Sequence, residues 1–366
     1  MTFKHAYLSV ILYLVFNATQ AEALVILQQA SVSAGVEYDT NPTLVSNNKQ
    51  SIFRYTLSPK YTLSAAEANN RWYTNLGINL QRSSNQSVSG SRKDPNISAG
   101  WEHEYDRGRY SIITAYSKSS SRFSELNTTG IVDKDGTIAT KSIAAAWSRL
   151  LTERLNLSVN GQYSKSNVTS STFSNTTTKS LGAVLTYELN ETMSPFVQVN
   201  VSDLNSGTRN SNSTISKNYL IGTNLEVNPR LSLSGSLGLN HQQNSGSGWV
   251  ANTSASYLGE RYIFRGALSR NVTPSSTGQF QKSDNLSLGY GYDLSDKSKT
   301  GLDFSWNKNG STNGSETRQL SGFYSKELSD LWQFRFALSL KDLKNSNQSA
   351  TASICGITFT YNTPEF

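Results

Sequence analysis

The 366 residues carry a formal charge of +7, with basic and acidic residues scattered and no dense Lys/Arg block, which leaves nucleic-acid binding without support. A single cysteine, Cys355, excludes an internal disulfide, and His103 and His241 are too few partners for it to build a structural zinc site. Aromatic residues make up 10% of the chain, too many for a solvated tail despite the wealth of Ser, Asn, Thr and Gly.

Residues 1–23 read as a secretory signal: Lys4 is the positive end, 6–16 the apolar run, and Ala21-Glu22-Ala23 an A-x-A cleavage site. An apolar run this short falls below the roughly 20 residues that a membrane-crossing helix needs. The expected mature protein is one exported domain, 24–366. Its first distinctive stretch, GVEYDTNPTL (35–44), sets Glu37 and Asp39 beside an Asn-Pro pair. Val36 and Tyr38 share the apolar face of a first strand with Val32 and Ala34, and Glu37 points the other way. Asp39 to Pro42 then open a loop, where Asp and Asn bond their own backbone and Pro ends pairing. The expectation is a strand leaving a sheet, not a ligand cluster.

From there the period is two almost throughout. RWYTNLGINLQ (71–81) puts Trp72, Leu76, Ile78 and Leu80 on one face against Arg71, Tyr73, Asn75, Asn79 and Gln81. RLNLSVNGQYS (154–164) and LWQFRFALSLK (331–341) alternate in the same way. Eighteen strands are predicted, near 29–38, 51–64, 71–82, 95–105, 109–118, 138–149, 154–165, 178–189, 195–205, 217–227, 231–241, 248–258, 262–272, 282–292, 299–309, 316–326, 331–342 and 349–362. Long connections (39–50, 83–94, 119–137, 166–177, 206–216) alternate with short ones such as DRG (106–108), NPR (228–230) and LGE (259–261). After residue 242 this contrast fades. Trp72, Tyr105, Tyr110, Tyr257, Tyr262, Tyr292 and Trp332 fall at short-turn ends, while Tyr163, Trp249 and Trp306 fall toward the long loops.

Strands of ~9–11 residues with one apolar face, unequal connections and two aromatic belts predict an all-β fold. Specifically, they predict a transmembrane antiparallel outer-membrane β-barrel of about 18 strands, within a range of 16–18. The structural alternative is a soluble lectin-like sandwich, whose sheets also bury one face.

The segment AGVEYDTNPTLVSNN (34–48) resembles the first hairpin of outer-membrane β-barrel proteins associated with exopolysaccharide and exosortase gene clusters, a broad β-barrel porin group. Their first strand often ends in Tyr-Asp-x-Asn, here Tyr38, Asp39, Thr40 and Asn41, and the strand pattern and the C-terminal Phe366 are similar too. Phe366 departs from the usual barrel ending: it is out of step with Cys355, Ile357, Phe359 and Tyr361, and Pro364 cannot donate to a ladder. The resemblance implies a Gram-negative outer-membrane location and the barrel assembly machinery, outer-membrane lipid and lipopolysaccharide as partners. It also implies polysaccharide export components.

Candidate chemistry is thin. His241 opens a polar stretch, HQQNSGSG (241–248), with Asn244 and Ser245 nearby; it is read as a surface loop and not as a lipid-hydrolase centre. His103 falls on the apolar face beside Trp101 and Tyr105. Asp133 and Asp135 in VDKDG are read as turn chemistry without the other ligands of a calcium loop. No catalytic, cofactor or metal residue is assigned. The predicted lumen-lining charges are Arg54, Lys60, Arg71, Arg154, Arg230, Arg265, Arg335 and Lys341, with fewer acids: Glu102, Glu104, Glu226 and Asp303. Such an excess would favour anionic solutes. Loop 119–137, the longest, is a candidate to narrow the pore. The expected function is a passive channel for polar solutes or exopolysaccharide; the alternatives are a non-conducting assembly barrel and a barrel lipid hydrolase.

Overall fold

The computed structural model describes residues 24–121, 136–169, 173–207, 213–243, 246–310, 314–345 and 349–364. They form eighteen strands: β1 (Val25–Asp39), β2 (Ile52–Glu67), β3 (Asn70–Ser83), β4 (Arg92–Tyr105), β5 (Gly108–Ser120), β6 (Thr137–Leu150), β7 (Leu155–Val168), β8 (Thr176–Tyr187) and β9 (Met193–Ser206). The second half supplies β10 (Thr214–Asn228), β11 (Leu231–Gln242), β12 (Gly246–Leu258), β13 (Tyr262–Pro274), β14 (Phe280–Ser295), β15 (Ser298–Asn309), β16 (Ser315–Glu327), β17 (Trp332–Lys344) and β18 (Ser349–Asn362). Every strand pairs antiparallel with its chain neighbours, and β1 pairs with both β2 and β18, so one sheet closes on itself. Closure removes both free edges and pairs the strands all the way round, so that the backbone polar groups of the wall are satisfied apart from local breaks in the ladder. A two-sheet sandwich is thereby excluded.

The period-two pattern becomes two surfaces. Register places Tyr55, Leu57, Leu76, Ile143, Leu181, Ile221, Leu239, Leu302 and Leu338 on the outside. Ile221 is 67% exposed and Leu239 62%, an arrangement no water-facing surface favours over this length. The opposite parity, mostly Ser, Thr, Asn and Gly, points inward. Outward aromatics cluster at the short-turn end: Tyr105 and Tyr110 lie 5.0 Å apart, Tyr257 and Tyr262 5.7 Å, and Trp332 and Tyr361 5.2 Å. Trp147 Nε1 donates to the Tyr105 hydroxyl at 2.8 Å, an amphipathic arrangement suited to a boundary between apolar and polar media.

Eight connections lie at this end and nine at the other. Several of the eight close by turn chemistry legible in sequence: Asn228 Oδ1 accepts from the amides of Arg230 and Leu231, and Asn190 Oδ1 from those of Thr192 and Met193. The β2–β3 ladder skips Ser58 and Pro59, where proline has no N–H to give. The buried apolar side chains gather instead at the long-loop end, where Leu44, Ile52, Leu204, Val250 and Leu343 are nearly inaccessible.

Candidate functional site: the barrel interior

Register fixes where the predicted residues fall. Lys60 faces Ser31 and Gly77, Arg71 faces Glu102, Glu104 faces Arg109, Arg265 faces Ser256 and Gly289, and Arg335 faces Thr358 and Ser325, all on the inward parity. Arg154 and Arg230 leave the wall for the turns 151–154 and 229–230; Arg230 there pairs with Glu260 at 3.7 Å. Inward charges that the sequence reading missed include Asp94, which pairs with Arg92 at 2.9 Å, and Asp293, which lies 3.6 Å from Lys299. Each of these acids comes with its own inward cation, so the two pairs are neutral; the acids that dilute the cationic excess are Glu37 and Asp39 on β1. The inward cations that form no salt bridge among the described residues include Lys60, Arg265, Arg335 and Lys341; three of them lie on β2 and β17 and flank the small residues of β1 and β18.

Arg54 is not an open lumen cation. It is 3% exposed and bonds Glu37 through Nη1 and Asp39 through Nη2, the latter at 2.6 Å. The stretch first read as a strand end is thus also half of an interior ion cluster, and Lys341 lies within electrostatic reach of it. Cross-strand register does this: Glu37 is opposite Arg54, and Asp39 is one inward step further on. Asp39 Oδ1 also accepts from the Asn41 amide at 3.0 Å, the local bond expected of it.

That bond starts the inward fold of loop 40–51. Asn41, fully buried, donates from Nδ2 to the carbonyls of Val45 (2.8 Å) and Thr351 (3.0 Å). Its Oδ1 accepts from the Val45 amide at 3.2 Å. The turn so formed puts Leu44 at φ 48°, a left-handed conformation costing roughly 1–2 kcal/mol for a residue with a Cβ. Packing offsets the cost, because Leu44 is buried with Leu343, Ala350 and Ala352 on the inner wall of β17 and β18.

A second loop enters from the opposite side. Residues 275–279, between β13 and β14, reach the mouth of β6–β9: Ser276 O accepts from the Ser174 amide at 2.8 Å. A Cβ placed on Gly278 would lie 2.5 Å from Ser206 Oγ at the end of β9. Gly278 has φ +81°, so glycine is required there twice over, by conformation and by space. Beneath the loop is a cavity of about 240 Å³ lined mostly by hydroxyls, including those of Ser164, Thr176 and Thr178, with Gln162, Ile138 and Pro274. Loops 40–51 and 275–279 therefore both narrow the mouth. The proposed constriction loop 119–137 lies outside the described residues from 122 to 135, as do Asp133 and Asp135.

Interior aromatics are kept flat against the wall. Tyr73, Phe196 and Phe323 each face a glycine on the next strand, Gly100, Gly222 and Gly301. A Cβ on any of these glycines would meet the facing ring at 2.3–2.5 Å. The rings thus occupy the room that missing side chains leave and do not project into the lumen. Arg335 lies over the Phe323 ring at 4.0 Å, which stiffens one of the uncompensated cations. We expect Gly100→Val to push Tyr73 off the wall and lower single-channel conductance, with the barrel still folded by heat-modifiable migration.

The two histidines face outward. His103 stacks between Trp101 and Tyr110, with Nδ1 3.0 Å from Asn70 Oδ1. His241 belongs to β11 and not to a loop, and its Nδ1 is 2.9 Å from Ser247 Oγ; Asn244 and Ser245 lie outside the described residues. The residue opposite His241 on its other side is Lys217. Among the described residues, no side chain bonds the other ring nitrogen of His241 as the third member of a triad would. His241→Ala is expected to leave any lipid turnover by the purified protein at the level of buffer.

No protein-family model matches the chain, and no curated protein matches it significantly. Solved structures do share its fold. OccAB4 of Acinetobacter baumannii is 8% identical with a TM-score of 0.55, covering 95% of this chain and 99% of that one. OpdQ of Pseudomonas aeruginosa is 8% identical with a TM-score of 0.51, covering 93% and 98%. The siderophore receptor PirA of Pseudomonas aeruginosa is 11% identical with a TM-score of 0.51, covering 92% and 80%. The chain has the fold of such outer-membrane barrels.

Proposed function

We propose that this protein is a passive channel of the bacterial outer membrane for small polar solutes, gated in size by its two inward loops. The observation that carries this reading is the closed eighteen-strand barrel with an exposed apolar outside and a polar, hydroxyl-rich inside that carries charged side chains. Barrels of this strand number enclose an aqueous lumen unless it is plugged. No bond-breaking chemistry is part of this reading.

The test is planar-bilayer recording of the refolded protein. Discrete conductance steps are expected; their absence under conditions where folding is demonstrated would instead favour a structural barrel of a secretion complex. The cations Lys60, Arg335 and Lys341 give the channel a mild anion preference. The combined change of all three to Gln should move the reversal potential toward cation selectivity in a salt gradient. No shift would sink the selectivity claim while leaving the channel intact. A second reading, passage of exopolysaccharide, draws on the resemblance of the first hairpin. It predicts relief of current block by neutral polymer once the mouth loops are shortened.

A further inference from the structure

The outward face at the long-loop end is charged in two different ways. On β13–β17 the signs alternate in register: Arg270 faces Asp284, Asp284 faces Lys308, Lys308 faces Glu316, and Glu316 faces Lys344. These groups neutralise one another, with Arg270–Asp284 at 2.5 Å and Arg318–Glu316 at 2.6 Å. On β3–β8 the same level carries Arg82, Lys93, Lys118, Lys141, Lys165 and Lys179, one per strand, all on the outward parity. Among the described residues none of these six forms a salt bridge. The arc ends where Asp203 on β9 faces Lys179.

Two features show that this arc is not an ordinary solvated rim. Lys141 and Lys165 stand directly opposite one another, a like-charge pair that destabilises a sheet unless an anion lies between them. Below the cations run two outward grooves of about 390 and 400 Å³. One is lined by Ile97, Tyr116, Ile143 and Tyr163 beneath Lys141, the other by Tyr55, Leu57 and Leu80 beneath Arg82 and Lys93. Cations above apolar slots, at the edge of the apolar band, match a molecule with phosphates at one end and hydrocarbon chains at the other.

We infer that the β3–β8 arc binds the phosphorylated glycolipid of the outer leaflet, lipopolysaccharide, with its lipid A phosphates on the lysines and acyl chains in the grooves. The inference takes the location from the channel reading and adds a specific lipid site to it. The lysines act as point charges for phosphate, while the groove beneath discriminates a lipid from a soluble polyanion. The alternating ladder on β13–β17 has no need of such a ligand.

The test compares full-length protein extracted from outer membranes in mild detergent, with bound lipopolysaccharide counted by native mass spectrometry. K118Q/K141Q/K165Q/K179Q should lose at least about tenfold of the retained lipid relative to the unmodified protein, the size expected from several lost phosphate contacts. K282Q/K308Q/K344Q, on the other half, should retain it. Equal retention in the arc variant, equal loss in the control, or a stoichiometric dimer in place of lipid would each overturn the assignment. If the fourfold variant fails to show heat-modifiable migration, K141Q/K165Q removes the facing pair alone and is held to the same outcomes. Added bisphosphorylated lipid A should restore binding to delipidated protein, whereas its dephosphorylated form should not; equal restoration by both would also count against the site. Conductance of the same preparations, which the outward lysines do not touch, reports separately on the channel reading.

Discussion

Arg54→Met is expected to destabilise the barrel by about 3–5 kcal/mol, because it strands the Asp39 carboxylate in a site closed to water. Asp39 is 3% exposed, so its charge has no solvent to fall back on, whereas Glu37 keeps 38% of its side chain accessible. The order of damage should therefore be Arg54→Met, then Asp39→Asn, then Glu37→Gln. Urea unfolding in detergent, followed by loss of heat-modifiable migration, reads all three. The combined variant E37Q/R54M/D39N should recover much of the loss, since it removes the unpaired charge together with its partner. A triple variant as unstable as Arg54→Met would show that the cluster acts by shape and not by charge. The same variants bear on the mouth, because Asp39 bonds the amide of Asn41 and Asn41 anchors loop 40–51. Loss of Asp39 should loosen that loop before it unfolds the barrel.

Replacing residues 275–279 by a two-residue Asn-Gly turn is expected to raise single-channel conductance by roughly twofold or more, since the narrowest part of a pore dominates its resistance. An Asn-Gly hairpin closes β13 and β14 without strain, so the strands should remain in register from Pro274 to Phe280. The bond from the Ser174 amide to Ser276 O disappears with the loop, and the hydroxyl-lined cavity beneath it opens to the lumen. Leu44→Asp tests the other side of the mouth. A carboxylate cannot remain against Leu343, Ala350 and Ala352 without a partner, so loop 40–51 should swing outward and conductance should rise there too. If each change alone leaves the conductance untouched, the two loops do not define the constriction. Loop 119–137 would then be the next segment to shorten.

Much of this protein was legible in its sequence. Strict alternation in segments such as 71–81 and 331–341 determined strands with one apolar and one polar face, and the spacing of turn residues put their number at 16–18, of which the closed sheet has eighteen. These are local signals: side chains alternate across a strand whatever the strand pairs with. The same parity correctly put Glu37 on the face opposite Val36 and Tyr38.

What only the tertiary structure decided depends on register between strands and on where loops come to rest. Nothing near Arg54 in the chain announces that Glu37 and Asp39 neutralise it, because that follows from β1 pairing with β2 at one particular offset. Nor does composition distinguish the lysines of β5–β8 from those of β14–β17. Each group is a charged residue near a strand end, and only the pairing sets Lys141 against Lys165 in one case and Lys308 against Glu316 in the other. Leu44 is the plainest example. In sequence it is one apolar residue in a polar loop, yet Asn41 turns the chain so that it fills the space over Leu343 and Ala350. Alternation is a property of each strand alone, whereas charge balance, burial and the shape of the mouth are properties of neighbours that the closed sheet brings together.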